Sequence, residues 1–143
     1  MDEQTSELTD KFVAIYQYLD KQDLSGLEEI YHHDVVFEDP AHRVEGYRQL
    51  FKYFSRLFDA VEYCSFNITE QLCCGETAYV QWTMTFQHPK LQSGKKRLVN
   101  GCSRLVFAEG KVIYHRDYFD MGEMIYEGIP LLGPIVRQIK ARL

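Results

Sequence analysis

Hydrophobic residues in the N-terminal part of the chain recur at helical spacing. One apolar stripe, at positions i, i+4, i+7 and i+11, consists of Leu8, Phe12, Ile15 and Leu19. This spacing predicts an amphipathic helix over roughly residues 5–21. After a polar break at Lys21–Asp23, the apolar positions from Leu24 to Tyr31 predict a shorter helix, and Val35–Phe37 predicts a short strand.

The middle of the chain carries its most strongly periodic segment. After Gly46, one helical face is formed by Tyr47, Leu50, Phe51, Phe54, Leu57 and Phe58. So much aromatic surface must be buried, and we expect this third helix to pack on a sheet.

From residue 61 onward the pattern changes to that of β-strands. Four segments rich in β-branched and aromatic residues are Tyr63–Leu72, Ala78–Phe86, Leu98–Phe107 and Val112–Phe119. The short links between them predict an antiparallel meander. Helices followed by a meander indicate an α+β fold, in which the helices pack on one face of a strongly bent, mainly antiparallel sheet that encloses a pocket.

Composition limits the classes of function. The chain has 143 residues, of which 45% are hydrophobic, and this suffices for one domain with a core and a cavity. Its formal net charge of −5 argues against a nucleic-acid surface, which needs clustered Lys and Arg. The sequence has no apolar run that could span a bilayer and no secretory leader pattern. We therefore expect a single cytoplasmic domain over residues 1–143.

Neither cysteine nor histidine spacing predicts a metal site. The chain has four cysteines, Cys64, Cys73, Cys74 and Cys102. Their strand-like apolar context favours free, buried thiols over disulfides. His32 and His33 are adjacent, and adjacent side chains of an extended strand diverge. We expect neither a metal nor an organic cofactor.

Two carboxylates are notable for their surroundings. Asp117 lies within the aromatic run His115–Asp120, and Asp39 precedes Pro40 at the end of the first predicted strand. Burying a polar group without a partner costs roughly 2–7 kcal/mol, so each carboxylate should face a polar partner or a cavity. Pro40 also disfavours helical geometry at Asp39, which should be extended and point in a defined direction.

The order of these features resembles a known superfamily. Two helices, Glu38–Pro40, an aromatic helix and four strands ending in Gly110–Asp120 resemble the SnoaL-like branch of the nuclear transport factor 2-like superfamily. The resemblance covers nearly the whole chain. It implies a cone-shaped α+β barrel and usually a homodimer formed through the outer sheet face. Members include ketosteroid isomerases, limonene epoxide hydrolases, polyketide cyclases and proteins without catalysis, so the fold does not settle the function.

Asp39 matches the ketosteroid isomerase template. In those enzymes an Asp of an Asp-Pro pair shuttles a proton between carbons, and the resemblance assigns this role to Asp39. The template also needs an oxyanion hole, made by a tyrosine of the first helix and a late-strand acid. Ungapped matching places Ile15 at the position of the tyrosine, with Tyr16 one residue away, and Ser103 at that of the acid.

Asp117 matches the epoxide hydrolase template. The segment Gly110–Asp120 is similar to the sequence around the catalytic late-strand Asp of those enzymes, and Asp117 takes its position. There the Asp works with an Arg-x-Asp pair on an earlier strand, where this chain has Gln81 and Thr83. Asp39 is then the remaining candidate for the second carboxylate.

Strand alternation groups the residues that should share the pocket. His115, Asp117 and Phe119 point to one side of the last strand, and the resemblance favours this side as the inward one. An inward His115 would form either an acid/base couple or a satisfied polar pair with Asp117. The pattern leaves open whether Trp82 lines the pocket or a partner subunit, and Tyr53 and Arg104 are equally ambiguous.

The tail over residues 121–143 ends in a basic amphipathic segment. After Pro134, Ile135 and Ile139 fall on one side, and Arg137 and Lys140 fall largely on the other. Such a segment could lie on an anionic membrane surface, but it is short for stable attachment. We expect the tail to border the pocket, to act as a lid or to contribute to an interface.

These features predict a protein that binds a small, mainly apolar molecule, such as a polyketide, terpenoid, steroid-like or oxidised lipid compound. If it is an enzyme, we expect cofactor-independent isomerisation, cyclisation or hydration, with Asp117, Asp39 and His115 as the acid/base groups. The residues expected to contact the substrate are Phe119, Tyr16, Trp82, Tyr53 and Ser103. The alternative is a non-catalytic ligand-binding or assembly module of the same fold.

Overall fold

The order of helices and strands follows the predicted α+β pattern. The computed structural model describes residues 2–19 and 23–143. Within them the helices are α1 (Asp2–Tyr18), α2 (Leu27–Ile30), α3 (Tyr47–Ala60), α4 (Met121–Met124) and α5 (Leu132–Ala141). The strands are β1 (Tyr31–Glu38), β2 (Arg43–Glu45), β3 (Tyr63–Cys74), β4 (Thr77–Gln87), β5 (Lys96–Ala108) and β6 (Lys111–Phe119). Short 3₁₀ turns cover Gln92–Gly94 and Tyr126–Gly128.

The described strands form one mixed, open sheet in the order β2-β1-β6-β5-β4-β3. The four long strands form the predicted antiparallel meander. β1 pairs with β6 in parallel, and Glu38 lies opposite Arg116. Asp39 directly follows β1, and Asp117 directly follows Arg116 in β6. This non-local pairing therefore brings the two carboxylates close to each other.

The buried face of α1 differs from the predicted one. Thr5, Thr9, Phe12 and Tyr16 are buried, whereas Leu8 and Ile15 are only partly buried. The threonines are accommodated because Thr5 donates a hydrogen bond to the carbonyl of Gly75 at 2.6 Å and Thr9 donates to the carbonyl of Thr5 at 2.7 Å. Tyr16, and not its apolar neighbour Ile15, therefore points into the core. Lys21 and Gln22, in the predicted break after this helix, lie outside the described residues.

The segment around β1 corrects two expectations. The second helix ends at Ile30, and Tyr31 is already a strand residue because it pairs with Val112 of β6. The register of this pairing shifts between Tyr31 and Val36, which interrupts the alternation of side chains. The rings of His32 and His33 consequently stack, with centroids 4.3 Å apart, and do not diverge. The three-residue strand β2 was not predicted.

The third helix and the thiols are close to expectation. α3 buries Leu50, Phe54 and Phe58 against the sheet, as its period predicted. It also buries Tyr53, whereas Phe51 and Leu57 of the predicted face are exposed. The four cysteines are free, but the expectation that they are buried was wrong. Cys74 is exposed because it ends β3 at the turn to β4, and the other three are partly buried.

The tail folds back onto the sheet. Asp120 caps α4 by accepting hydrogen bonds from the backbone N–H of Gly122 at 2.8 Å and of Glu123 at 3.3 Å. The buried guanidinium of Arg97 on β5 donates to the carbonyls of Glu123 and Met124 at 2.5 Å and 3.3 Å. These contacts fix α4 beside the sheet. None of the described helices has the length and apolar character needed to cross a membrane.

Candidate functional site

Asp117 is held by one oxygen of its carboxylate. Its Oδ1 accepts hydrogen bonds from Nε2 of His115 at 2.6 Å and from the hydroxyl of Ser103 at 2.5 Å. Ser103 lies opposite Asp117 in the β5–β6 register, and His115 precedes it by two residues on the same face of β6. Because a carboxylate only accepts hydrogen bonds, Nε2 of His115 carries the proton.

A buried hydrogen-bonded chain extends behind Asp117. Nδ1 of His115 lies 2.6 Å from the hydroxyl of Tyr31, which is bonded in turn to the hydroxyl of Tyr16. Burial, followed by the nearby Asp117 carboxylate, raises the pKa of Tyr16 well above its ordinary value, and burial also raises the pKa of Tyr31. Both hydroxyls therefore keep their protons, so Tyr16 can donate to Tyr31 and Tyr31 to His115.

Ser103 links Asp117 to the tryptophan of β4. The Nε1 atom of Trp82 donates a hydrogen bond to Oγ of Ser103 at 2.9 Å. The hydroxyl of Ser103 donates a hydrogen bond to Asp117, and its oxygen is 3.2 Å from Nε2 of His115. The orientation of the Asp117 carboxylate is thus set by Ser103 and His115, which are themselves buried and bonded.

Asp39 is bonded through both of its oxygens. Oδ1 accepts from the backbone N–H of Ala41 at 2.8 Å and of His42 at 2.7 Å, and Oδ2 accepts from the hydroxyl of Tyr53. Such backbone donors are typical of an Asp that closes a turn. Asp39 therefore shapes the connection from β1 to β2 as well as facing the interior.

His42 and Tyr53 complete a second polar cluster. Nδ1 of His42 lies 3.2 Å from Oδ1 of Asp39 and 3.1 Å from the hydroxyl of Tyr53. About half of the His42 side chain is exposed, so the cluster reaches solvent. Burial, and then the hydrogen bond to Asp39, raise the pKa of Tyr53 well above its ordinary value, so this hydroxyl remains a donor.

Both clusters border one cavity between the sheet, α3 and the tail. Its volume is about 120 Å³. Its lining consists of Phe37, Asp39, Ala41, His42, Tyr53, Phe54, Leu57, Phe66, Trp82, Met84, Asp117, Phe119, Met121, Met124 and Ile125. The cavity is thus an apolar, largely aromatic space with carboxylates in its wall.

The residues singled out in the sequence fall into two groups. Asp117, Asp39, Phe119, Trp82 and Tyr53 line the cavity. The other three, His115, Tyr16 and Ser103, are buried behind the wall, in the hydrogen-bonded chains that reach Asp117. The open question about β4 is answered by burial, because Trp82 and Met84 face inward while Gln81 is exposed. Arg104 lies over the ring of Tyr114, 5.7 Å from its centroid, on the other face.

The sequence did not point to His42 or Tyr31, and it predicted that the tail borders the pocket without indicating which tail residues line it. The sequence could have indicated His42, because an Asp typically accepts hydrogen bonds from the backbone N–H groups two and three residues after it in a turn, and His42 is the third residue after Asp39. Tyr31 had no such local signal, because its role depends on contacts with β6 and α1. The tail contributes Met121, Met124 and Ile125 only because Arg97 fixes α4 beside the cavity.

A group of potential metal ligands lies outside the cavity. Side-chain atoms of His32, His33 and Asp34 are within 4.8 Å of one another. However, Nδ1 of His32 accepts a hydrogen bond from the backbone N–H of Asp34, and Nε2 is 3.2 Å from Glu109. Both nitrogens of this ring therefore have protein partners, and the absence of a metal stays a prediction.

The sequence and the fold identify the family. Residues 12–115 match the family model of the SnoaL-like domain. The chain belongs to this family, as the resemblance indicated. No curated protein sequence matches the chain.

Solved structures share the fold over most of their length. A protein from Jannaschia sp. CCS1, described as a SnoaL-like polyketide cyclase, has a TM-score of 0.74 and 17% identity, over 91% of this chain and 94% of that chain. An LEH-like epoxide hydrolase from M. tuberculosis has a TM-score of 0.69 and 18% identity, over 97% and 98%. A protein with a ketosteroid isomerase-like fold from Catenulispora acidiphila, in complex with trimethylamine, has a TM-score of 0.72 and 14% identity, over 87% and 94%. At these identities the likeness shows the fold alone.

Proposed function

We propose that the protein binds a small, mainly apolar molecule in the cavity beside Asp117 and acts on it by cofactor-independent acid/base chemistry. Asp117 is the proton-transferring group, His115 and Ser103 position it, and Asp39 is the second carboxylate. Isomerisation, cyclisation and hydration are the reaction types that such groups catalyse without a cofactor.

The observation that carries this proposal is the one-sided bonding of Asp117. Oδ1 has two donors, whereas no described residue donates a hydrogen bond to Oδ2. A carboxylate fixed through one oxygen beside an apolar cavity is oriented for proton transfer through the other. Positioned acid/base groups contribute roughly 10²–10⁴-fold to a rate.

The size of the cavity limits the molecule. An engineered apolar cavity of about 150 Å³ binds benzene, so the cavity of about 120 Å³ suits a group of about that size or smaller. The polyketide and steroid-like compounds expected from the sequence would fit only in part, unless α4 moves outward. Met121 and Met124 on α4 are the residues that such a ligand would displace.

The alternative is non-catalytic binding in the same cavity. The hydrogen bonds of Asp39 favour this alternative, because one of its oxygens accepts the backbone N–H groups of the turn and the other accepts the hydroxyl of Tyr53. The trimethylamine bound to the Catenulispora acidiphila protein supports small-molecule binding by this fold, without implying turnover.

Two small probes test the catalytic proposal. The isomerisation of cyclohex-3-enone needs a base that moves a proton from C2 to C4, and the hydration of 1,2-epoxy-2-methylpropane needs activated water. We expect the wild type to accelerate one of these reactions and Asp117→Asn to lose roughly a hundredfold of that acceleration. Asp59→Asn, an exposed position of α3, is the control for removal of one carboxylate. Equal rates in wild type and Asp117→Asn would refute catalysis by Asp117, and binding without turnover would favour the alternative.

We also propose a homodimer formed through the sheet face that the helices leave open. Apolar residues exposed on this face are Tyr63, Leu72, Tyr79, Leu98 and Tyr118. Exposed apolar patches of this kind are typical of protein interfaces. Light scattering after size exclusion should give a dimer for the wild type and a monomer for Tyr118→Glu. A wild-type monomer would refute this proposal.

The free thiols support a reducing compartment. The four cysteines are unpaired, and disulfides are rare in cytoplasmic proteins. We therefore propose that the protein works in the cytoplasm.

A further inference from the structure

The two acidic side chains that line the cavity are not matched there by a Lys or Arg from the part of the chain that the structure describes. Asp39 and Asp117 line it, and no Lys or Arg is among the described residues that do so. Two arginines close in sequence are engaged elsewhere. Arg116 pairs with Glu38 at 3.5 Å, and Arg43 pairs with Glu38 at 2.5 Å and with Glu45 at 3.1 Å. A carboxylate-lined apolar space without a cation favours a positively charged occupant.

The cavity wall is also rich in aromatic rings. Its six rings belong to Phe37, Tyr53, Phe54, Phe66, Trp82 and Phe119. The face of an aromatic ring is electronegative, so a cation within about 6 Å of its centroid is attracted. Cages of aromatic rings are the usual binding sites of alkylated ammonium groups. A fully alkylated ammonium group has no N–H and cannot donate a hydrogen bond to a carboxylate.

Four side-chain hydrogen-bond donors in or directly behind the cavity wall are already used. Trp82 donates to Ser103, Ser103 and His115 donate to Asp117, and Tyr53 donates to Asp39. An anionic or carbonyl ligand would need such donors and would lie beside two carboxylates. A cation needs none of these donors. The bonding pattern therefore disfavours anionic ligands, in agreement with the carboxylates of the cavity wall.

We infer that the cavity binds a ligand that carries a small alkylated ammonium group, which lies between the aromatic rings and the Asp117 carboxylate. The cavity volume of about 120 Å³ is suited to a group of trimethylammonium size. This inference rests on the proposed function, because it concerns the same cavity and adds the charge of the molecule that enters it.

A matched pair of probes tests the charge. Choline and 3,3-dimethyl-1-butanol share one heavy-atom skeleton, in which a quaternary nitrogen replaces a quaternary carbon. Trp82 is the only tryptophan of the chain and lines the cavity, so its fluorescence reports binding directly. Titrations at constant ionic strength and constant pH should show choline binding about tenfold more tightly.

Variants separate the two attractions. Asp117→Asn should weaken the binding of choline severalfold more than the binding of the alcohol. Phe119→Leu should also weaken choline more than the alcohol, because it removes a ring and keeps apolar volume. Asp59→Asn, exposed on α3, is the matched control and should change neither affinity.

The outcomes distinguish this inference from the proposed function. Equal or tighter binding of the alcohol would overturn the inference, and so would a choline preference that survives in Asp117→Asn and Phe119→Leu. Benzene serves as a third, neutral probe in the same titrations. If benzene binds but choline does not, only the inference fails. If none of the three probes binds, both the inference and the proposed ligand cavity fail.

Discussion

The indole ring of Trp82 occupies the space that a side chain at position 101 would need. A Cβ added to Gly101 would lie 2.2 Å from Cη2 of Trp82 and 2.4 Å from Cζ2. The two residues face each other in the β4–β5 register. Glycine at this position therefore allows Trp82 to lie flat over β5, where it reaches Ser103 and forms part of the cavity wall.

Gly101→Ala should destabilise the protein by about 1–3 kcal/mol, because the added methyl group overpacks a filled site. Urea unfolding followed by circular dichroism measures this change. Trp82→Phe in the same chain should restore part of the loss, since a smaller ring leaves room for the methyl group. Additive effects of the two substitutions would contradict the packing relationship.

Tyr31→Phe should lower the free energy of unfolding by about 1–3 kcal/mol, because it leaves buried polar atoms of His115 and Tyr16 without their partner. Tyr18→Phe is the control, since this tyrosine is exposed at the end of α1. Urea unfolding of both variants measures the difference. Equal stability would show that the chain from Tyr16 to His115 is not stabilising.

The pH dependence of stability should include a contribution from Asp120. The hydrogen bond from Lys140 is the main cause that holds the pKa of Asp120 below its ordinary value. A carboxyl group with a lowered folded-state pKa stabilises the fold above its ordinary pKa, and this stabilisation is lost as the pH falls through the folded-state pKa. Asp120→Asn should therefore be less stable than wild type near neutrality, and the difference should disappear only as the pH falls below the ordinary pKa of aspartate, about 3.9, and through the lowered folded-state pKa.

Asp120→Ala separates charge from capping. Asn can still accept the hydrogen bonds of Gly122 and Glu123, whereas Ala cannot and should cost about 1 kcal/mol more at every pH. A constant difference between wild type and Asp120→Asn over the whole pH range would contradict the charge effect.

Thiol reactivity should follow burial. Burial raises the pKa of Cys64 to about 12, whereas Cys74 is exposed. Because the thiolate is the reactive form, a disulfide reagent at neutral pH should modify Cys74 first and Cys64 only after unfolding. Cys74→Ser should remove the fast phase. Rapid labelling of Cys64 in the native protein would contradict its burial.

Local sequence patterns predicted most of the elements and part of the site. The period of α3, the four long strands and the shared face of His115, Asp117 and Phe119 follow from alternation and helical spacing, which are properties of neighbouring residues. The family resemblance, and not the alternation, indicated that this face is the inward one. Reasoning from helical spacing gave only part of the buried face of α1, because the apolar stripe contained Ile15 and not Tyr16, although Phe12 and Leu19 are buried as predicted. Partners of Tyr16 on β1, distant along the chain, decide that choice.

The sequence by itself determined the α+β order, the meander and the two carboxylates as candidates, since each depends on spacing within one segment. Only the tertiary structure decided that Asp39 and Asp117 border one cavity, that His42 and Tyr31 join their clusters, and that α4 closes the space. The physical reason is the parallel pairing of β1 with β6 and the bonds of Arg97 to α4. Both join segments far apart in the chain, and no periodicity within either segment specifies such a contact.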